Sequence, residues 1–591
     1  MLKMFLKISF LAFPCILFAQ NQSLQTFFEK SDYLETPRYS ETIDFCKKLT
    51  QASSMVHYSN FGISPQGREL PLVIVDQHKN FSPESVAKSG NVVMMIQAGI
   101  HAGEPDGKDA GLMLIRDIIT KKEMQNLLDH VTILFIPIFN VDGHERFGPY
   151  NRINQDGPKE MGWRTTATNL NLNRDYGKAD APEMKAWIKL FNNWSPDFLA
   201  DCHTTDGAHY QYIITYSSEI FGNMEKDMTD WTRDVYLKTI TENLEKKKIP
   251  NFPYIEFRDW SDPSSGMEAF VSPCMLSQGY AALRNRPGLL IETHMLKDYR
   301  TRVLGTYQTL LETLLLLNKE FATLRRLNKN ADAYIGSKEF RDKELPLDFE
   351  TLKDSTLVEF KGFEYERVKS ELTGGDWIKY SKIPKTYSIA YFDKLKGISF
   401  TKLPEAYILP PEWSEVIQRL DIHGIKYFTL GKSATLTINS YKFRDVKLRE
   451  SSFEGRQLLR KLNFDEITEQ RTYPSGSVVI EMNQATAKLI AYLFEPASSD
   501  AFVNWGFFNA IFEQKEYSES YVMEVMAREM LAKDENLRIA FEKKKAEDKD
   551  FANNSYAILN WFYSKTPYWD NHLNMYPVGK ILDSKILDNL K

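Results

Sequence analysis

Cysteine is scarce: four in 591 residues, too few for a disulfide scaffold. Charge of one sign is lacking too. Lys and Arg number 74 against 79 Asp and Glu, for a net charge of -5. No basic field is available for nucleic acid or an anionic membrane surface. Internal repeats and low-complexity tracts are absent, which excludes solenoid and fibrous classes. The apolar run from Ile8 to Phe18 is too short to span a bilayer. Preceded by Lys3 and Lys7 and followed by Ala19, it reads as an export signal over residues 1–19. The expectation is a secreted or periplasmic protein with no membrane span once the signal is removed. Removal takes Cys15 and leaves Cys46, Cys202 and Cys274, enough for at most one disulfide.

What is present centres on Gly99-Ile100-His101-Ala102-Gly103-Glu104-Pro105-Asp106-Gly107. The apolar run Val92 to Ile96 predicts a buried strand leading into it, and a helical pattern runs from Lys108 to about Thr120. His101 and Glu104 therefore sit where a strand ends and a helix begins, the position at which open α/β sheets bind ligands. Gly107-Lys108 has the look of a phosphate loop. Asp109 stands where that loop needs Ser or Thr, and Ala102 where it needs its first glycine, so a nucleotide site is excluded.

Two more residues join the turn. His203 closes a second predicted strand, Phe198 to Cys202, and Glu292 lies in an apolar strand, Gly288 to Thr293. A lone carboxylate there is costly to bury without a partner or a task. Two histidines and a glutamate as ligands, with a second glutamate as base, suit one hydrolytic zinc ion. Strand alternation turns Cys202 away from His203 and out of that ligand set.

In this order the sequence resembles the zinc carboxypeptidase family. The resemblance covers roughly Tyr39 to Leu327 and rests on His101-Ala-Gly-Glu104, Asn140-Val-Asp-Gly143, Gly162-Trp-Arg164, Asn171-Leu-Asn173-Arg174, His203 and Glu292. It implies that His101, Glu104 and His203 hold the zinc and that Glu292 is the general base. Arg164 is implied to stabilise charge on the carbonyl oxygen. Asn173 and Arg174 are implied to bind the C-terminal carboxylate of a peptide or protein substrate, and Tyr280 to be the substrate-binding tyrosine, with Tyr210 or Tyr212 as substitutes. Many relatives have Asp where Asn171 stands; its amide oxygen can still accept a histidine N–H. Asp142, His144 and His209 are further polar candidates near the site. Peptidoglycan-peptide cleavage or amide deacylation on the same frame, and a non-catalytic binding protein, are the competing functions.

The expected fold is α/β: a mixed, mostly parallel sheet flanked by helices over residues 20–327. A polar linker is expected at 328–345, then an α+β accessory region at 346–591, with strands near 358–363, 386–391 and 478–482. The aromatics around Trp505 and Trp561 read as core, and the charged run 542–550 as a solvated helix face.

Overall fold

The computed structural model describes residues 24–259 and 262–591. The expected export signal and Cys15 lie outside the described residues. Strands β1 (Val56–Ile63), β2 (Glu69–Val75), β3 (Val92–Ala98), β4 (Val131–Ile136), β5 (Phe198–Thr205), β6 (Ile214–Ser217), β7 (Asn251–Pro253) and β9 (Gly288–His294) form one sheet, while β8 (Met267–Glu268) pairs elsewhere. The sheet has eight strands in the order β1-β2-β4-β3-β5-β9-β6-β7. Its centre, β4-β3-β5-β9, is parallel. β1 and β2 join as an antiparallel hairpin, and β6 runs antiparallel to β9. β3, β5 and β9 are buried along their whole lengths; each opens on an apolar run, and the polar residues gather towards its carboxyl end.

Helices cover both faces. On one side the helix Asp106–Thr120 and the long helix Tyr299–Ile335 bury Ile115, Ile118, Leu310 and Leu314 against Met94, Ile96 and Ile291. Gly107 is the close approach: a Cβ there would fall 2.2 Å from Cys202 Cβ. Its small size admits β5 rather than a phosphate. Cys46, Cys202 and Cys274 are all buried and free.

The polar stretch 328–345 is not a linker. The long helix runs through it to Ile335, with Leu324, Leu327, Asn328, Ala331 and Ile335 buried on one side. A short helix, Lys338–Arg341, follows. Strands β10 (Glu344–Thr351) and β13 (Leu395–Lys402) then pair, flanking the long hairpin β11 (Thr356–Lys369) and β12 (Asp376–Phe392). β12 pairs with β8, tying the hairpin to the first half of the chain. A six-stranded sheet follows, built from β14 (Ala406–Leu409), β15 (Phe428–Thr429), β16 (Ala434–Leu448), β17 (Leu459–Tyr473), β18 (Val478–Glu481) and β19 (Gly579–Ile581). Trp505, Phe508 and Phe562 are buried, as their sequence context implies. No helix among the described residues is long and apolar enough to cross a membrane.

One apolar cluster runs through both halves: Trp187, Tyr176 and Tyr280 pack with Tyr407, Phe494 and Phe502. At this junction Tyr280 donates its hydroxyl to His423 Nδ1 at 3.0 Å, while His423 Nε2 donates to the Gly177 carbonyl at 2.9 Å. Burial, helped by Arg284 and Arg419, pulls the His423 pKa from 6.5 down to about 3. Below pH 6.5 the unfolded chain binds a proton that the folded site refuses, so stability falls as pH drops from about 6.5 towards 3. The expected slope is at most about 1.4 kcal/mol per pH unit from this residue. Urea midpoints measured from pH 7 to 5 should fall, and less steeply in His423→Gln.

Candidate metal centre

Parallel pairing sets the geometry. The carboxyl ends of β3, β5 and β9 reach the same edge of the sheet, with Ala98 opposite Cys202 and His203 opposite Glu292. The turn after β3 brings His101 and Glu104 to that edge. Gly103 is required there, because a Cβ would lie 2.8 Å from the Gly162 carbonyl and 2.9 Å from Arg152 Cγ.

Three atoms converge. His203 Nδ1 lies 3.1 Å from His101 Nδ1 and 3.1 Å from Glu104 Oε2, and His101 Nδ1 lies 3.2 Å from Glu104 Oε2. All three residues are buried. Zinc bound tetrahedrally at about 2.0–2.1 Å would separate its ligand atoms by roughly 3.3 Å, so this donor set fits. The tautomers fit as well. Asn171 Oδ1 accepts the Asn173 backbone N–H at 3.0 Å and faces His101 Nε2 at 3.0 Å. His101 Nε2 therefore carries the proton and Nδ1 presents a lone pair. His203 Nε2 faces Asp201 Oδ2 at 2.9 Å, and Gln97 Nε2 donates to Asp201 Oδ1 at 2.7 Å. The same logic leaves His203 Nδ1 pointing inward.

The electrostatics favour a cation between these atoms. Burial would raise the Glu104 carboxyl, but His101 and Arg152 outweigh it and hold it well below the ordinary range. Burial would lower His203, yet Asp201, then Glu104 and Glu292, hold it well above the ordinary imidazole value. His101 falls to about 4, chiefly through burial. Arg152 pairs with Glu104 Oε1 at 3.0 Å, and the Thr204 N–H donates to Oε2 at 3.0 Å.

Glu292 lies beside this group on the neighbouring strand. Its Oε2 is buried without a hydrogen-bond partner, and burial raises its pKa, with His203 opposing. Arg164 reaches Glu104 Oε1 at 3.4 Å from a 42% exposed side chain, so it faces both the centre and solvent. Asn173 is buried with Oδ1 unpartnered. Arg174 donates to the Asn173 carbonyl at 2.7 Å, and among the described residues no carboxylate forms an ion pair with it. Burial and then Arg164 lower its pKa.

Tyr280 is not part of this group. It lies on the helix Ser277–Leu283, fully buried among Tyr176, Trp187 and Phe191, with its hydroxyl committed to His423 and Arg284. Tyr254 stands nearer the centre: burial, then the Glu292 carboxylate, raise its pKa, with Thr205 beside it. Asp142 instead holds the β1–β2 hairpin through Ser64, Gln66 and Arg68. His144 is buried against Lys108, and His209 stacks on Phe363 of the long hairpin.

Asn171→Ala and Asp201→Ala each remove the outer partner of one histidine. Each should weaken zinc binding by roughly 10–100-fold, read by competition with a chromogenic chelator, without loss of the ligands themselves.

The sequence matches the zinc carboxypeptidase family over residues 42–272, a stretch that holds His101, Glu104, Arg164, Asn173, Arg174 and His203; Glu292 lies beyond it. Carboxypeptidase 2 of Trichophyton equinum is 22% identical over 503 residues, which cover 80% of this chain and 85% of that protein. Carboxypeptidase 2 of Trichophyton rubrum is likewise 22% identical, over 490 residues. Among solved structures, a metallo-carboxypeptidase from Burkholderia cenocepacia is 15% identical with a TM-score of 0.35, covering 49% of this chain and 71% of that one. Residues 42–272 thus carry a domain of the zinc carboxypeptidase family, a family of peptidase hydrolases.

Proposed function

We propose that this protein is a secreted or periplasmic zinc metallocarboxypeptidase that removes C-terminal residues from peptides. One zinc ion, held by His101, Glu104 and His203, would lower the pKa of water towards neutrality and polarise the scissile carbonyl. Asn173 and Arg174 bind the substrate carboxylate. A planar guanidinium meets a carboxylate with two parallel hydrogen bonds, and among the described residues no carboxylate is in ion-pair contact with this one. Arg164, between the centre and solvent, donates to the carbonyl oxygen as charge develops on it. Glu292 accepts the proton of the attacking water at Oε2 and delivers it to the leaving amine nitrogen.

The observation that carries this reading is the register of β5 on β9. It pairs Glu292 with His203, and Glu292 Oε2 is buried without a hydrogen-bond partner. A buried carboxylate oxygen with no partner is expensive unless it has a task, and accepting a proton is one.

Glu292→Gln should retain stoichiometric zinc and substrate affinity while turnover falls by roughly 10²–10⁴-fold; loss of the metal by elemental analysis would contradict the assignment. Arg174→Ala should raise KM for peptides with a free C-terminal carboxylate by about 10–100-fold. The comparison is with the same peptides amidated at the C-terminus. Equal cleavage of free and amidated forms by the unaltered enzyme would point to an amidase or deacylase instead.

A further inference from the structure

The turn that carries Asn171, Asn173 and Arg174 is held from outside by the C-terminal half of the chain. β16 and β17 are joined by a loop that ends in a tight turn. There Phe453 and Arg456 exchange backbone hydrogen bonds of 2.9 and 3.0 Å around Glu454 and Gly455. Both central residues have positive φ, +49° at Glu454 and +76° at Gly455. A two-residue turn of that kind selects Asn, Asp or Gly. Glutamate gains nothing locally from such a backbone and is strained in it. Strain of this sort persists where the surroundings fix it, often because the side chain has a task.

The Glu454 carboxylate makes one directed contact. Its Oε2 accepts the Asn171 backbone N–H at 2.8 Å. Asn171 in turn holds His101 Nε2 and the Asn173 N–H with its side-chain oxygen. The negative charge of Glu454 also reaches Arg174, where it opposes the lowering caused by burial and Arg164. The turn itself is anchored. Arg456 binds Asp180 through two hydrogen bonds of 2.7 and 2.6 Å, reaches Glu415 at 2.6 Å and stacks over Phe507 at 3.6 Å. Asp180 lies on the same connection as Arg174, so the hairpin grips that connection at both ends.

We propose that Glu454 is a positioning residue for carboxylate recognition: the C-terminal half supplies the group that fixes the Asn171–Arg174 turn. This rests on the reading that Asn173 and Arg174 receive the substrate carboxylate.

The test uses the full chain and a chromogenic peptide with a free C-terminus, beside its C-terminal amide. Three variants separate the roles. Glu454→Gln keeps an acceptor for the Asn171 N–H and should stay within about twofold of the parent KM. Glu454→Ala removes the acceptor and should raise KM by about tenfold, with kcat changed far less. Glu454→Gly removes the acceptor but relieves the positive-φ strain. It should fold with an unchanged or higher melting temperature and still show the raised KM. An unchanged KM in Glu454→Gly overturns the proposal, as does a KM increase in Glu454→Gln equal to that of the other two. Equal cleavage of free and amidated peptide by the parent enzyme defeats the carboxylate reading itself, whatever the variants do.

Discussion

Three electron-rich atoms meeting out of water define this molecule. His101 Nδ1, His203 Nδ1 and Glu104 Oε2 lie 3.1–3.2 Å apart in a buried turn. Asn171 and Asp201 engage the outward ring nitrogens, so the three atoms face one another, an arrangement that favours positive charge among them, whether a proton on His203 or a metal ion. The scaffold holds the three in register. Asn171 and Asp201 fix the rings, and β3, β5 and β9 fix the spacing. Behind the strands, Asp106 Oδ2 accepts from the hydroxyls of Thr204 and Thr293 at 2.6 Å each and from Arg302 Nε at 3.1 Å. That buried contact stitches β5 to β9 one residue beyond His203 and Glu292. Breaking it by removing Arg302 would strand a buried charge, which typically costs about 3–5 kcal/mol.

The C-terminal half belongs to this scaffold physically. It shares an apolar cluster with the central sheet, and its polar contacts are buried or half-buried: Lys488 to the Asn223 carbonyl, His423 to Tyr280, Arg419 and Arg456 to Asp180. Removing one partner while the other stays buried leaves an unsatisfied group, at about 1–3 kcal/mol each. Separation of the two halves would therefore forfeit both the apolar contact and several satisfied charges.

Much of this was legible in the sequence for a simple reason. Buried parallel strands read as unbroken apolar runs, so the polar residues at their ends stand out: His101 and Glu104 after β3, His203 at the end of β5, Glu292 within β9. Asn171 was legible as an acceptor for a histidine. Asp201 was missed, although strand alternation puts it on the same face as His203, two residues away. Arg152 and Tyr254 lie in loops, which have no periodicity to follow. Tyr280 misled because its place upstream of Glu292 suggested a site residue, whereas its helix packs into the core of the junction. The stretch 328–345 misled through composition. Its polar residues mask Ala331 and Ile335, which continue the four-residue spacing from Leu327 and carry the helix onward.

The charges around the centre are sorted by depth. Glu104, Asp201 and Glu292 are buried at the sheet edge, where removal from water strengthens their pull on a cation. Arg164 stands at the rim and Arg174 is half-buried, on a turn whose Asn171 N–H is held by a carboxylate, Glu454, from the far half of the chain. Arg152 and Arg164 both approach Glu104 Oε1, leaving Oε2 to the metal side. Under the proposed function the metal would sit among the buried carboxylates and the anionic end of the substrate against Arg164 and Arg174, nearer solvent.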